Sequence, residues 1–179
     1  MTSKLSNFLT RRSFFASSGA AAMTFGSAAH ARVAPGTNSD FAYEVQRTED
    51  EWLSMLTDEE FVIMREGFTE KPKTGTMWEE TREGTYSCKG CDLHLYNSQH
   101  KVVLDKGWVF FYHSQPDAVM TNIDGKPAEY GGQMSDGSEL LIEVHCRRCG
   151  SHQGHLVFIK GNITHCINSQ ALTFNPTSA

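Results

Sequence analysis

Residues 140–167 read LLIEVHCRRCGSHQGHLVFIKGNITHCI, and the fold turns on this stretch. Leu140, Ile142 and Val144 alternate with Leu141, Glu143 and His145, a period of two that places alternate side chains on opposite faces of a strand. Leu156 to Ile159 and Ile163 to Ile167 are two further strand-like runs. Lys160-Gly161-Asn162 lies between them as a hairpin-like turn. Upstream, Gly107-Trp108-Val109-Phe110-Phe111-Tyr112 is another such run, and short β-rich runs begin at Thr85. Two capping patterns precede them. Thr48-Glu49-Asp50-Glu51 leads into Trp52, Leu53, Met55 and Leu56, and Thr57-Asp58-Glu59-Glu60 leads into Phe61, Val62, Ile63 and Met64, with Gly67 as a stop. In each, threonine accepts an amide of the first turn while glutamate reaches back to the cap amide. No βαβ alternation or internal repeat is present. The reading is a mainly β, antiparallel body entered through two short helices.

The chain has 179 residues, enough for one domain, with 39% hydrophobic and 21% charged content. Residues 1–31 hold three basic residues, Lys4, Arg11 and Arg12, and no acid. The remaining 13 Lys and Arg face 21 Asp and Glu, so the body carries a formal charge of −8. Such a body is a poor partner for nucleic acid, whose affinity comes mostly from basic contacts to phosphate. No apolar run reaches the length of a membrane span. Thr10-Arg11-Arg12-Ser13-Phe14-Phe15 sets twin arginines before a weakly apolar stretch, and Ala29-His30-Ala31 has the pattern of a signal-peptidase site. The expectation is a Tat-type signal peptide over 1–31 and a periplasmic protein, with an ordinary Sec signal as the alternative. Residues 32–46 then read as a flexible linker, 47–174 as the folded domain and 175–179 as a tail.

Five cysteines organise the chemistry. Cys88-Lys89-Gly90-Cys91 and Cys146-Arg147-Arg148-Cys149 are two C-x-x-C pairs separated by 54 residues. Each can grip one edge of a metal tetrahedron, giving a closed structural zinc site of four thiolates. Two disulfides are an alternative in an oxidising compartment. A local site of Cys146, Cys149, His152 and His155 is another. Cys166 is left over. A free cysteine is commonly an inert buried hydrophobe, yet His165 and Asn168 flank this one. If the two last runs pair as a hairpin, His155 also comes near its strand, where a histidine can activate a thiol.

These residues resemble the B-class methionine sulfoxide reductases, which reduce the R epimer of methionine sulfoxide. The resemblance spans about Arg47 to Phe174. It runs through Met64-Arg65-Glu66-Gly67-Phe68-Thr69-Glu70, Gly84 to Cys91, Leu95-Tyr96-Asn97-Ser98, Gly107-Trp108, Glu143 to Cys149 and His152-Gln153-Gly154-His155, where the family has H-L-G-H. It ends in Cys166-Ile167-Asn168-Ser169-Gln170-Ala171-Leu172-Thr173-Phe174. By resemblance, Cys166 is the nucleophile, with His152, His155 and Asn168 as its polar surroundings. Trp108 receives the substrate methyl group, and Cys88, Cys91, Cys146 and Cys149 hold Zn2+. The implied fold is a pair of antiparallel sheets. The implied partners are oxidised methionine in proteins or peptides and an external thiol or thioredoxin-like reductant.

The chain also departs from the pattern. The family's arginine two residues before the nucleophile is Thr164, and its aspartate partner is Ile159. The arginine before the E-V-x-C motif is Leu141. Many relatives place a second redox cysteine where this chain has Lys106, so its cycle is expected to use one cysteine. A non-catalytic zinc scaffold that binds a methionine-rich partner is the rival reading.

Overall fold

The computed structural model describes residues 41–124 and 141–177. The twin-arginine segment, the cleavage site, residues 32–40 and Leu140 lie outside the described residues. Both capping patterns start helices. In α1 (Glu49–Met55) and α2 (Asp58–Glu66) the cap threonine accepts the amide of Glu51 or Glu60, whose carboxylate accepts the cap amide in return. Gly67 ends α2 in the left-handed region at φ 75°, where a Cβ would be strained. The pair turns Trp52, Ile63 and Met64 inward and exposes Glu49, Asp50, Glu51, Asp58 and Glu59, while Glu60 is buried.

Among the described residues nine strands follow, and they form two antiparallel sheets. β1 (Gly84–Cys88) is the centre of a three-stranded sheet between β2 (His94–Asn97) and β9 (Leu172–Pro176). The six-stranded sheet contains β3 (Lys101–Val102), β4 (Val109–Phe111), β5 (Val119–Asp124), β6 (Leu141–Cys146), β7 (His152–Ile159) and β8 (Asn162–Ile167), in the order β3-β4-β8-β7-β6-β5. Aromatic rings join the two sheets. Tyr96 stacks on Phe111 at 4.2 Å between centroids, and Tyr86 meets the same ring edge-on at 5.0 Å. Val109, Val144, Ile167 and Leu172 complete this core and are fully or almost fully buried.

The hairpin read from the sequence is present and tighter than expected. Ile159 pairs with Asn162, so the turn is only Lys160-Gly161, both with positive φ (48° and 86°). That is the two-residue geometry that suits strand twist. The strand ahead of it begins at His152 instead of Leu156, because its backbone continues to pair with β6 across a bulge at Val144/His145. The run Gly107–Tyr112 yields strand only over Val109–Phe111, since Gly107 sits at φ 87°.

The edges of the folded unit also differ from the sequence reading. Of the stretch read as linker, residues 41–46 are docked. Val45 donates its amide to Arg148 O at 3.0 Å, and the Tyr43 ring packs edge-on to His145. At the other end β9 carries the sheet to Pro176, two residues into the stretch read as tail.

Candidate functional site

The two C-x-x-C segments fold into the same turn. The residue four positions after the first cysteine, Asp92 in one and Gly150 in the other, adopts positive φ and donates its amide to that cysteine's carbonyl, at 2.7 and 2.8 Å. The next residue closes the turn by accepting the first cysteine's amide, Leu93 for Cys88 and Ser151 for Cys146. Four sulfurs then lie within 4.8 Å of one another. Cys88 and Cys149 are 3.7 Å apart, and Cys91 and Cys146 are 3.5 Å apart. A zinc tetrahedron with Zn–S bonds of about 2.3 Å has edges of about 3.8 Å, whereas a disulfide needs about 2.05 Å. All five cysteines are free. The donor set therefore fits a four-thiolate metal and not the disulfide alternative.

Cations surround the sulfur cluster. Arg47 donates to Gly90 O at 3.0 Å, and Arg65 reaches Ser151 Oγ at 3.3 Å. Both guanidiniums lie on the Trp52 ring, at 4.7 and 4.6 Å. Arg148 donates to Cys91 O at 3.4 Å. Four thiolates around a dication would leave two net negative charges, which these arginines are placed to offset.

His152 and His155 stand elsewhere, so a mixed cysteine–histidine site is not formed. Strand register builds their surroundings. On β8, Cys166 lies directly opposite Phe110 of β4 on one side and His155 of β7 on the other. His155 in turn lies opposite Glu143 of β6. Directly opposed residues in antiparallel strands share a face, with Cβ atoms about 5 Å apart. Cys166, His155 and Glu143 therefore form one row. Glu143 accepts a hydrogen bond from His152 Nδ1 at 2.8 Å, which fixes that ring, and the two histidine rings meet edge-on at 5.1 Å. His165 turns to the opposite face, where its Nδ1 lies 3.1 Å from Tyr96 Oη. Burial holds the His165 pKa down to about 4. Its expected place beside the Cys166 thiol is thus corrected by the alternation of the strand.

One residue joins the remaining parts. Glu70, only 3% exposed, accepts the amides of Ser169 and Gln170 on its two carboxylate oxygens, at 2.7 and 3.1 Å. Its own amide donates to Asn168 Oδ1 at 3.1 Å, and its carbonyl accepts the Trp108 indole N–H at 3.1 Å. Asn168 is further held by Gln153 O, which accepts both its amide and its Nδ2. Burial and the Glu70 charge push the Cys166 thiol up to about 12, so at neutral pH the sulfur rests protonated. Sequence reading quoted Glu70 in a motif but gave it no role. Nothing local signals a carboxylate that caps a turn 99 residues downstream.

Ile159 and Thr164 prove to be diagonal neighbours on the Cys166 face, since Ile159 faces Asn162 two residues before Thr164. The positions of the resembled arginine and aspartate are adjacent, and here both are uncharged. Either charge alone would stand unpaired beside a largely buried position, as Thr164 is 2% exposed. The Leu141 side chain lies outside the described residues.

The sequence pattern of the SelR domain matches residues 56–176. Peptide methionine sulfoxide reductase B3 of Arabidopsis thaliana is 34% identical over 154 residues, covering 83% of this chain and 77% of that protein. Peptide methionine sulfoxide reductase MsrB of Leifsonia xyli subsp. xyli (strain CTCB07) is 35% identical, covering 75% and 93%. The protein of the same name from Pseudomonas putida (strain W619) is 36% identical, covering 74% and 96%.

Three measurements follow from this geometry. Elemental analysis of purified protein should find one zinc per chain, lost together with cooperative unfolding in Cys88→Ser or Cys149→Ser and retained in His152→Ala. Glu70→Gln should cost about 1–3 kcal/mol in denaturant unfolding, because a buried amide loses its acceptor. With the carboxylate charge removed, the rise in Cys166 alkylation by iodoacetamide should move to lower pH. An unmoved profile would show that the Glu70 charge does not reach the thiol.

Proposed function

The chain belongs to the SelR-domain family of peptide methionine sulfoxide reductases, and from that premise we propose that it reduces methionine-R-sulfoxide, in peptides or free, through a sulfenic acid on Cys166. The observation that carries this reading is the cross-strand pair of Cys166 and His155, backed by His152 and Glu143. A non-catalytic scaffold is not favoured, because it would have no use for a reactive-residue row of this kind.

The protonated resting thiol sets the order of events. Attack of Sγ on the sulfoxide sulfur requires its proton to leave as the bond forms. His155, directly opposite, takes that proton and delivers it to the sulfoxide oxygen. In sum, Cys–SH and the sulfoxide give Cys–SOH and the thioether. One oxygen is transferred, the cysteine sulfur loses two electrons, and the methionine sulfur gains them. Two external thiols then return Cys166 to the thiol, releasing one disulfide and one water. Trp108, anchored by the carbonyl of Glu70, whose amide bonds Asn168, supplies an aromatic wall for the methyl group. Cys88, Cys91, Cys146 and Cys149 would hold zinc, which would supply rigidity and no chemistry toward substrate.

Counting supports a one-cysteine cycle. Four cysteines are gathered in the clamp, and Lys106 is an exposed turn residue whose amide donates to Leu104 O. The twin arginines Arg11 and Arg12 and the Ala29-His30-Ala31 motif support Tat export to the periplasm, where the enzyme would repair oxidised exported proteins.

Turnover of N-acetyl-methionine-R-sulfoxide with dithiothreitol should fall by on the order of 10³-fold or more in Cys166→Ser. In His155→Ala it should fall by about 10²–10⁴-fold, mainly in kcat. Oxidised wild-type protein should take up one dimedone, at Cys166. A disulfide from Cys166 to a clamp cysteine, with zinc released, would overturn the one-cysteine cycle. Arg11→Lys with Arg12→Lys should leave unprocessed precursor in the cytoplasm, and normal processing of this variant would contradict the Tat route.

A further inference from the structure

Gln153 occupies a position where the resembled motif carries leucine, and its side chain is completely buried. Its Nε2 donates to Cys88 Sγ at 3.6 Å and to Ser151 O at 3.2 Å. The orientation of this amide is set by its neighbours. Flipped, Oε1 would face a sulfur and a carbonyl oxygen, both acceptors. In the observed orientation both Nε2 protons are used, and Oε1 is buried with no hydrogen-bond partner among the described residues. A leucine would fill the space without stranding an oxygen. The stranded acceptor is tolerated, so the donor side of the amide has a use, and one of its two partners is a clamp sulfur.

An N–H donated to a metal-bound thiolate withdraws electron density from the sulfur, making it a poorer nucleophile and a firmer ligand. Cys88 is well placed to need this. It is 1% exposed, and the arginines around the clamp bond to backbone carbonyls and Ser151 instead of to its sulfur. We propose that Gln153 is a charge-relieving donor to the metal-bound Cys88 thiolate, shielding the clamp from the peroxide-type oxidants that generate the enzyme's own substrate. The backbone carbonyl of Gln153 also holds Asn168. The same residue therefore protects the metal with its side chain and positions the catalytic turn with its main chain.

The test uses zinc-loaded full-length wild type and Gln153→Leu, exposed to hydrogen peroxide with a chromophoric zinc chelator present. Two clamp thiolates give two electrons to the peroxide, form one disulfide and, with two protons, yield two waters and free zinc. Gln153→Leu should release zinc about tenfold faster at equal starting load. Its cobalt-substituted form should show the thiolate-to-cobalt charge-transfer band at lower energy, because the sulfur is richer in electrons. Equal or slower release overturns the proposal, as does faster release with an unshifted band, which would place the effect in packing. Should the leucine variant fail to fold, Gln153→Met, of similar length and without an N–H, carries both measurements. The proposal rests on zinc in the clamp. Failure of that premise shows as metal-free wild type, and failure of the proposal shows as equal behaviour of loaded proteins.

Discussion

The structure depends on bringing four thiols from two distant turns into one small volume. Left as thiols in a buried corner they would be a poor use of polar groups, and left as bare thiolates they would repel strongly. A dication would remove that conflict and convert it into a cross-link between the end of β1 and the β6–β7 connection. From that connection β7 runs directly to His152, Gln153 and His155. The register of β7 is therefore anchored three residues before His152. Since a one-residue slip would send every side chain to the other face, the clamp governs which residues meet Cys166.

The reacting row and the groups that support it come from different levels of the fold. Cys166, His155 and Glu143 are brought together by regular strand pairing. Trp108, Asn168 and the turn at Ser169 are not in that register, and a single buried carboxylate, Glu70, collects them. Burial disfavours a charge so far from water and raises the Glu70 pKa, and the fixed backbone donors of Ser169 and Gln170 offset that only in part. The same charge, with burial, disfavours a second anion on Cys166, so the arrangement keeps that sulfur in its thiol form at neutral pH.

Much of this was legible in the sequence, and the limits are physical. Both helices were set by reciprocal cap bonds between residues three apart, and the β7–β8 hairpin by two strand-like runs on either side of Lys160-Gly161-Asn162. These are local interactions. The four clamp cysteines could be grouped because thiolate–metal chemistry has so few partners to choose from. His165 was misplaced because adjacency in sequence suggests proximity, whereas adjacent strand residues point to opposite faces. The docking of Phe41 to Gln46 and the role of Glu70 depend on contacts roughly a hundred residues apart, to which no spacing rule refers.

The pairing of β9 with β1 has a consequence for the order in which the molecule is made. Gly84 to Cys88 lie opposite Leu172 to Pro176, so the central strand of the small sheet waits for nearly the last described residues before its second edge is covered. Cys166 and the turn capped by Glu70 emerge from the ribosome only just before. Loop closure over this distance is slow relative to the helices and hairpins that precede it. All four clamp cysteines, by contrast, are synthesised well before that last strand, so a nascent chain can hold metal before it can hold substrate. The Cys166 side of the fold is completed only when β9, the last of the described strands, is in place.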